Sequence, residues 1–249
     1  MSGYIATLIF DPAERAQRRH LKRDKVLRWL RLNTWSTADV LREVVEIGSR
    51  QAIHALLQGL CREGLIRKAT ISGEFGPPVL LWGITAHGAA MAARENEQIA
   101  VRTFEPSKVN MVTMGHNLDV QRLQLRAERA SWTWEPAISE FSRSDAKYAD
   151  AIAVRPDLQK VAIEVERTVK TIKRYAEILV AHLDARRRGK WDWIYYLSPN
   201  SSMRVRVERC FREIRVVTWK GRKVRVEGKH LEPFRFYTYE EEWTTLDIK

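Results

Sequence analysis

Three carboxylates fall in two short apolar runs. Asp150 lies in YADAIAV, and Glu164 and Glu166 lie in KVAIEVE. Val161, Ile163 and Val165 alternate with Ala162, Glu164 and Glu166, which is the period of a β-strand. Residues two apart on a strand share a face, so Glu164 and Glu166 are expected to point the same way. Arg155-Pro156-Asp157-Leu158 has turn chemistry, so the two runs are expected to form a hairpin that carries Asp150 toward the glutamates. Carboxylates converging from apolar strands are costly unless a cation lies between them. Mg²⁺ or Mn²⁺ would remove that cost through oxygen ligation, and such hard ions serve phosphoryl chemistry. Alternating glutamates also line ordinary solvated sheet faces, so the rest of the chain has to decide.

The 249 residues are 45% hydrophobic, enough for one large or two smaller folded domains. Lys and Arg number 43 against 31 Asp and Glu, a net +12. That excess favours a polyanionic partner. No apolar run approaches the roughly 20 residues that span a bilayer, so no membrane partner is expected. The opening MSGYIATLIFDPAER lacks the basic start and cleavage site of a signal peptide. Cys61 and Cys210 are far apart in helix-like segments. They read as buried thiols rather than a bridge, which fits a reducing cytoplasm.

The first half should position DNA. Asp11 and Pro12 start a helix with a basic run from Arg15 to Lys25, including Arg18, Arg19 and Lys22. Ser36 is expected to open a second helix ending at Gly48. Ser49 caps a third, Arg50 to Glu63, with Ile53, Leu56, Leu57 and Leu60 inward. Its other face offers Arg50, Gln51, His54, Gln58 and Arg62, all able to donate to phosphates or base edges. Strands at Leu65–Ser72 and Val79–Thr85 flank a tip at Gly73–Pro78. Three helices followed by a hairpin is the order of a winged helix-turn-helix, although a plain helical bundle with a hairpin has the same order. A short helix from Ala86 to about Glu97 closes a domain of residues 1–98, and residues 99–112 read as a linker.

Residues 113–249 read as an α/β domain. A helix from His116 to Ala130 precedes a strand at Trp134–Phe141 and the acid hairpin. A long helix follows from Thr168 to about Arg187, then a strand at Trp191–Leu197, a turn at Ser198-Pro199-Asn200, a helix at Val205–Ile214 and a strand at Arg215–Trp219. The basic stretch Asp184–Lys190 and the tip Lys220-Gly221-Arg222-Lys223 read equally as solvated faces or as phosphate grips. Trp132 and Trp134 read first as core, and alternatively as stacking platforms for unpaired bases.

An acid hairpin followed by a helix resembles the core of PD-(D/E)XK nucleases. Ala149-Asp150 stands where that motif has Pro-Asp, and Ile163-Glu164-Val165-Glu166 stands where it has (D/E)-x-K. A winged helix, then Glu-x-Glu-Arg-Thr, then Lys and Arg-Tyr on a helix, resembles the replication-relaxation proteins, and among them the MobC-type plasmid mobilisation relaxases. The architectural resemblance spans nearly the whole chain, and the motif about 25 residues. It implies an α+β or α/β chain: an N-terminal winged helix followed by a restriction-endonuclease-like domain. It also implies nicking at a plasmid transfer origin in a bacterial cytoplasm, on double-stranded DNA with single-stranded regions at the nick, alongside other mobilisation proteins.

The motif lysine is replaced by Glu166. Lys170, expected in the first helical turn after it, can return an ammonium to the acids, and Lys147 is the second candidate. Alternatively Glu166 is a third metal ligand. Glu128 matches the place of an extra acid in some nucleases. A tyrosine nucleophile would have to come from Tyr4, Tyr148 or Tyr175, of which Tyr175 has the spacing of a core residue. The six histidines form no His-x-His pair, which argues against a histidine-cluster relaxase.

The expected function is therefore metal-dependent DNA nicking. Asp150, Glu164 and Glu166 would hold Mg²⁺ or Mn²⁺ and Lys170 would assist. The rival expectation is a non-enzymatic DNA-binding accessory or replication regulator on an inactive nuclease fold.

Overall fold

The computed structural model describes residues 11–72, 77–95, 102–136, 149–241 and 243 of a mixed α+β chain. It divides into two compact units, Met1–Met114 and Gly115–Lys249. No helix among the described residues is long and apolar enough to cross a membrane.

The first unit begins with α1 (Pro12–Asn33), capped by Asp11, whose Oδ1 accepts the Ala13 N–H at 2.8 Å. The helix is exposed from Pro12 to Leu21. Only its second half buries a face, through Val26, Leu27, Trp29 and Leu30. Strand β1 (Trp35–Thr37), α2 (Ala38–Val44), α3 (Arg50–Arg62), β2 (Ile66–Ile71), β3 (Val79–Ile84) and α4 (Ala86–Met91) follow. The three strands form an antiparallel sheet in the order β1-β3-β2.

Several expectations need correction here. Ser36 does not open a helix; it is fully buried in β1 opposite Trp82. The neighbouring Thr37 caps α2 instead, its Oγ1 accepting the Val40 N–H. That helix ends at Val44 rather than Gly48, and α4 ends at Met91 rather than near Glu97. Within the expected linker, Phe104 is fully buried and donates its backbone N–H to Ile84 O at 2.9 Å. Gly83 makes room for that ring, since a Cβ there would stand 2.1 Å from it. Gly73–Gly76 of the expected hairpin tip lie outside the described residues.

The second unit is built from α5 (Met111–Arg129) from Gly115 onward, β4 (Thr133–Pro136), β5 (Ala151–Val154), β6 (Lys160–Val165), α6 (Ile172–Arg187), β7 (Trp193–Ser198), α7 (Ser201–Glu213), β8 (Val216–Trp219), β9 (Arg222–Arg225), α8 (Gly228–Leu231) and β10 (Phe234–Thr238). Its main sheet has the order β10-β7-β6-β5-β4. The β4-β5 and β5-β6 pairs are antiparallel, and the β6-β7 and β7-β10 pairs are parallel. One face packs Val161, Ile163 and Val165 with Leu123 and Ala127 of α5. The other packs Ala162 and Tyr196 with Tyr175, Ile178 and Leu179 of α6. Strict alternation along β6 therefore sends its valines one way and Ala162 and Glu164 the other.

The turn at Arg155–Leu158 forms as its residues dictate. The Leu158 N–H donates to Arg155 O at 2.9 Å, and Asp157 Oδ1 accepts the Gln159 N–H at 3.2 Å. Helix boundaries shift from those expected because caps set them. Thr171 caps α6, so Lys170 stands before the helix rather than in its first turn. Asn200 caps α7, which starts at Ser201, four residues earlier than expected. The strand expected at Trp134–Phe141 is described only as β4, since 137–148 lie outside the described residues. Strand β10, unread in the sequence, extends the sheet in parallel beside β7. Cys61 and Cys210 are free and half-buried rather than fully buried.

Candidate functional site

The β5-β6 hairpin brings the acids together at one end of the sheet. The Asp150 N–H donates to Ile163 O at 2.8 Å, and the Val165 N–H donates to Asp150 Oδ2 at 2.7 Å. Asp150 is thus locked across from Glu164 by the ladder and by its own carboxylate. From α5, His116 Nε2 lies 2.9 Å from Asp150 Oδ1. That bond holds the imidazole above its ordinary pKa.

Glu164 and Glu166 both turn toward α6, as the strand period predicts. Glu164 Oε1 lies 3.1 Å from Nε2 of the fully buried His182. Burial pushes the Glu164 carboxyl well above its usual range, and the neighbouring Asp150 adds to the effect. Burial also pushes His182 down to about 3, so its imidazole is uncharged near neutrality. Glu166 is 2% exposed. Its Oε2 accepts from the Lys170 ammonium and, at 3.1 Å, from the Tyr175 hydroxyl. The Lys170 ammonium therefore points toward the acids, as its spacing suggested. Lys147 and Tyr148 lie outside the described residues, as does Tyr4.

Tyr175 is fully buried, with its hydroxyl also accepting the Lys170 N–H at 3.2 Å. Burial raises its pKa, which keeps the phenol protonated and makes it a poor nucleophile. Tyr196, paired with Glu164 across β6-β7, is buried, and its hydroxyl has no hydrogen-bond partner among the described residues.

A second polar layer comes from α5. Asp119, 8% exposed, receives Arg167 and, at 3.2 Å, both the Tyr239 hydroxyl and Arg122. Gly115 leaves room for the Arg167 guanidinium, which would stand 3.1 Å from a Cβ. Sequence reasoning missed His116, Asp119, Arg167, His182 and Tyr196. Glu128, expected as an extra acid, is exposed three turns along α5 from His116 and bonds Gln124 instead. Trp132 and Trp134 are buried against Trp243, which makes them core rather than stacking platforms.

Asp150, Glu164 and Glu166 are oxygen donors of the kind a hard divalent cation takes, two of them largely buried, and the orphaned Tyr196 hydroxyl lies on the strand beside Glu164. Among the described residues, no three His, Cys, Asp or Glu side chains already stand as a metal site. Glu166 in particular is engaged by Lys170 and Tyr175 through Oε2.

In the first unit, α3 exposes Arg50, Gln51, Gln58 and Arg62 on one stripe, with Ile53, Leu57 and Leu60 buried opposite. His54 is half-buried, edge-on to Trp82 at 6.1 Å. Arg50 lies 4.0 Å from Asp39 but stays largely exposed. On α1, Arg18 pairs with Glu14 at 3.1 Å, Arg19 is exposed and Lys22 is half-buried.

Comparison with known proteins finds no matching family model, curated protein or solved structure.

Proposed function

We propose that the chain is a metal-dependent DNA endonuclease of the nickase type, acting at a plasmid transfer origin in the bacterial cytoplasm. The convergence of Asp150, Glu164 and Glu166 at the end of the β5-β6 hairpin, with Lys170 aimed at them, carries this reading. The element order adds support. Helix, three antiparallel strands, helix and parallel strand is the order expected of a PD-(D/E)XK-like nuclease domain. In the first unit, a strand between the first two helices that joins a following hairpin is the order of a winged helix.

Each residue has a defined task. His116 and the Val165 N–H fix Asp150. His182 holds Glu164. Glu166 holds the Lys170 ammonium where it can orient or protonate an oxygen. Asp150 and Glu164, joined by Glu166 through its other oxygen, would hold Mg²⁺ or Mn²⁺. When bound, the ion supplies Lewis-acid polarisation of the phosphate and a more acidic water. The exposed cations of α3 and α1 would grip duplex phosphates.

A non-enzymatic DNA-binding role draws on one observation, the engagement of Glu166 by Lys170 and Tyr175 in place of a ligand position. Strand-resolved gels separate the two readings. End-labelled duplexes from a transfer origin, incubated with Mn²⁺ or with chelator, should be cut in one strand only when the metal is present. Specific binding without any cut would favour the accessory role.

A further inference from the structure

Between α6 and the β8-β9 hairpin lies a cavity of about 300 Å³ that no step above uses. Its floor is apolar, with Leu183, Val217 and Val224 among its walls. Trp219 forms one side. The guanidinium of Arg187 lies 5.7 Å from the Trp219 ring centroid and the Lys220 ammonium 4.9 Å from it. The hairpin turns through Lys220 and Gly221, both at positive φ, so its tip is a tight two-residue turn that fixes Trp219 at the strand end. From Arg215 to Arg225 the sequence holds five cations and no acid. The adjoining end of α6 adds Arg186, Arg187 and Arg188, and the acid among the described lining residues, Asp184, is paired with Arg188 at 3.4 Å.

We propose that this cavity is a nucleobase pocket for single-stranded nucleic acid. Its volume sits at the lower end of small-ligand sites, roughly 300–1,000 Å³, which suits a flat ring. The apolar floor excludes a charged group, while the rim of exposed cations matches the phosphates on either side of an inserted base. An acidic peptide or an anionic lipid surface would meet the same cations but would have no use for a flat aromatic wall. The site lies apart from the acid cluster, because α6 turns Tyr175 and His182 to the acids and Leu183 and Arg187 to the pocket. It does not require the acid cluster to cut.

The test uses the full chain in chelator, so that cleavage plays no part. A thymidine oligonucleotide carrying 5-bromouracil is crosslinked by light, and the adduct is mapped by mass spectrometry. Crosslinks are expected within residues 217–226. By fluorescence anisotropy, Trp219→Ala should weaken binding of the oligonucleotide about tenfold, and Trp219→Phe by less than about threefold. An oligonucleotide with abasic residues should bind wild type about as weakly as the intact one binds Trp219→Ala. Affinity for duplex DNA should not change in Trp219→Ala, which also reports that the chain is folded. Crosslinks confined elsewhere, equal binding by Trp219→Ala, or equal binding of the abasic oligonucleotide would each overturn the proposal. So would displacement of the oligonucleotide from wild type, but not from Trp219→Ala, by a poly-glutamate peptide or phosphatidylserine vesicles.

Discussion

The Lys170 ammonium is paired with the Glu166 carboxylate across the segment joining β6 to α6. On the proposed nuclease reading Glu166 stands where the motif would have a lysine, and this pair brings a cation beside it from four residues away. If that cation acts on the reacting oxygens, Lys170→Met should slow cleavage by about 10²–10⁴-fold, the usual range for a positioned proton donor. Manganese affinity, read by titration calorimetry, should change by less than about tenfold. A parallel loss of both would make Lys170 a support of the metal site instead.

Glu164 gives a pH signature in the metal-free protein. Its folded-state pKa is raised, mainly by burial and next by Asp150. Unfolded, it releases its proton near the ordinary glutamate range, while the folded chain keeps it to higher pH. The folded state therefore binds the extra proton between those limits, and its stability falls as pH rises through that window. Glu164→Gln, which imitates the protonated form, should match wild type near pH 4.5 and exceed it by pH 8. The gap should grow by at most about 1.4 kcal/mol per pH unit. Thermal melts in chelator would read this, and superimposable profiles would show that Glu164 is not desolvated.

The acid hairpin was legible because strand alternation and turn chemistry are local signals. The α3 stripe was legible for the same reason. The partners of the acids were not, because tertiary packing brings them from α5, α6 and β7. Two signals were nevertheless present. Tyr175, Leu179 and His182 follow helical spacing, which put His182 on the core face of α6. His116 and Asp119 are one turn apart, which put both on one face of α5. Ser36 misled because Ser followed three residues later by Asp39 mimics a helix start, whereas pairing with β3 buried Ser36 and left the cap to Thr37. Strand β10 needed its long-range parallel pairing with β7, which no local pattern announces.

Gly88 in α4 has no room for a side chain, since a Cβ would stand 1.9 Å from Leu65 O. Backbone cannot rotate away as a side chain can. Gly88→Ala should destabilise the first unit by about 1–3 kcal/mol, the usual range for overpacking. Denaturant unfolding of the full chain would register it, and an unchanged midpoint would contradict the packing of α4 on the β2 start.

Duplex binding should depend steeply on salt, because each neutralised phosphate releases counterions. The double change Arg50→Ala with Arg62→Ala should weaken binding and flatten the log–log salt slope by about two units. A slope equal to wild type would remove α3 from the DNA interface.

The most direct measurement is conversion of a supercoiled, transfer-origin plasmid to open circles. Wild type with Mn²⁺ should nick it, and chelator should stop the reaction. Asp150→Ala should abolish nicking while retaining duplex affinity within about threefold, and should lower metal-free stability by about 1–3 kcal/mol because the Val165 N–H and His116 lose their acceptor. Nicking that persists in Asp150→Ala, or that proceeds in chelator, would contradict a metal-dependent site at the β5-β6 hairpin.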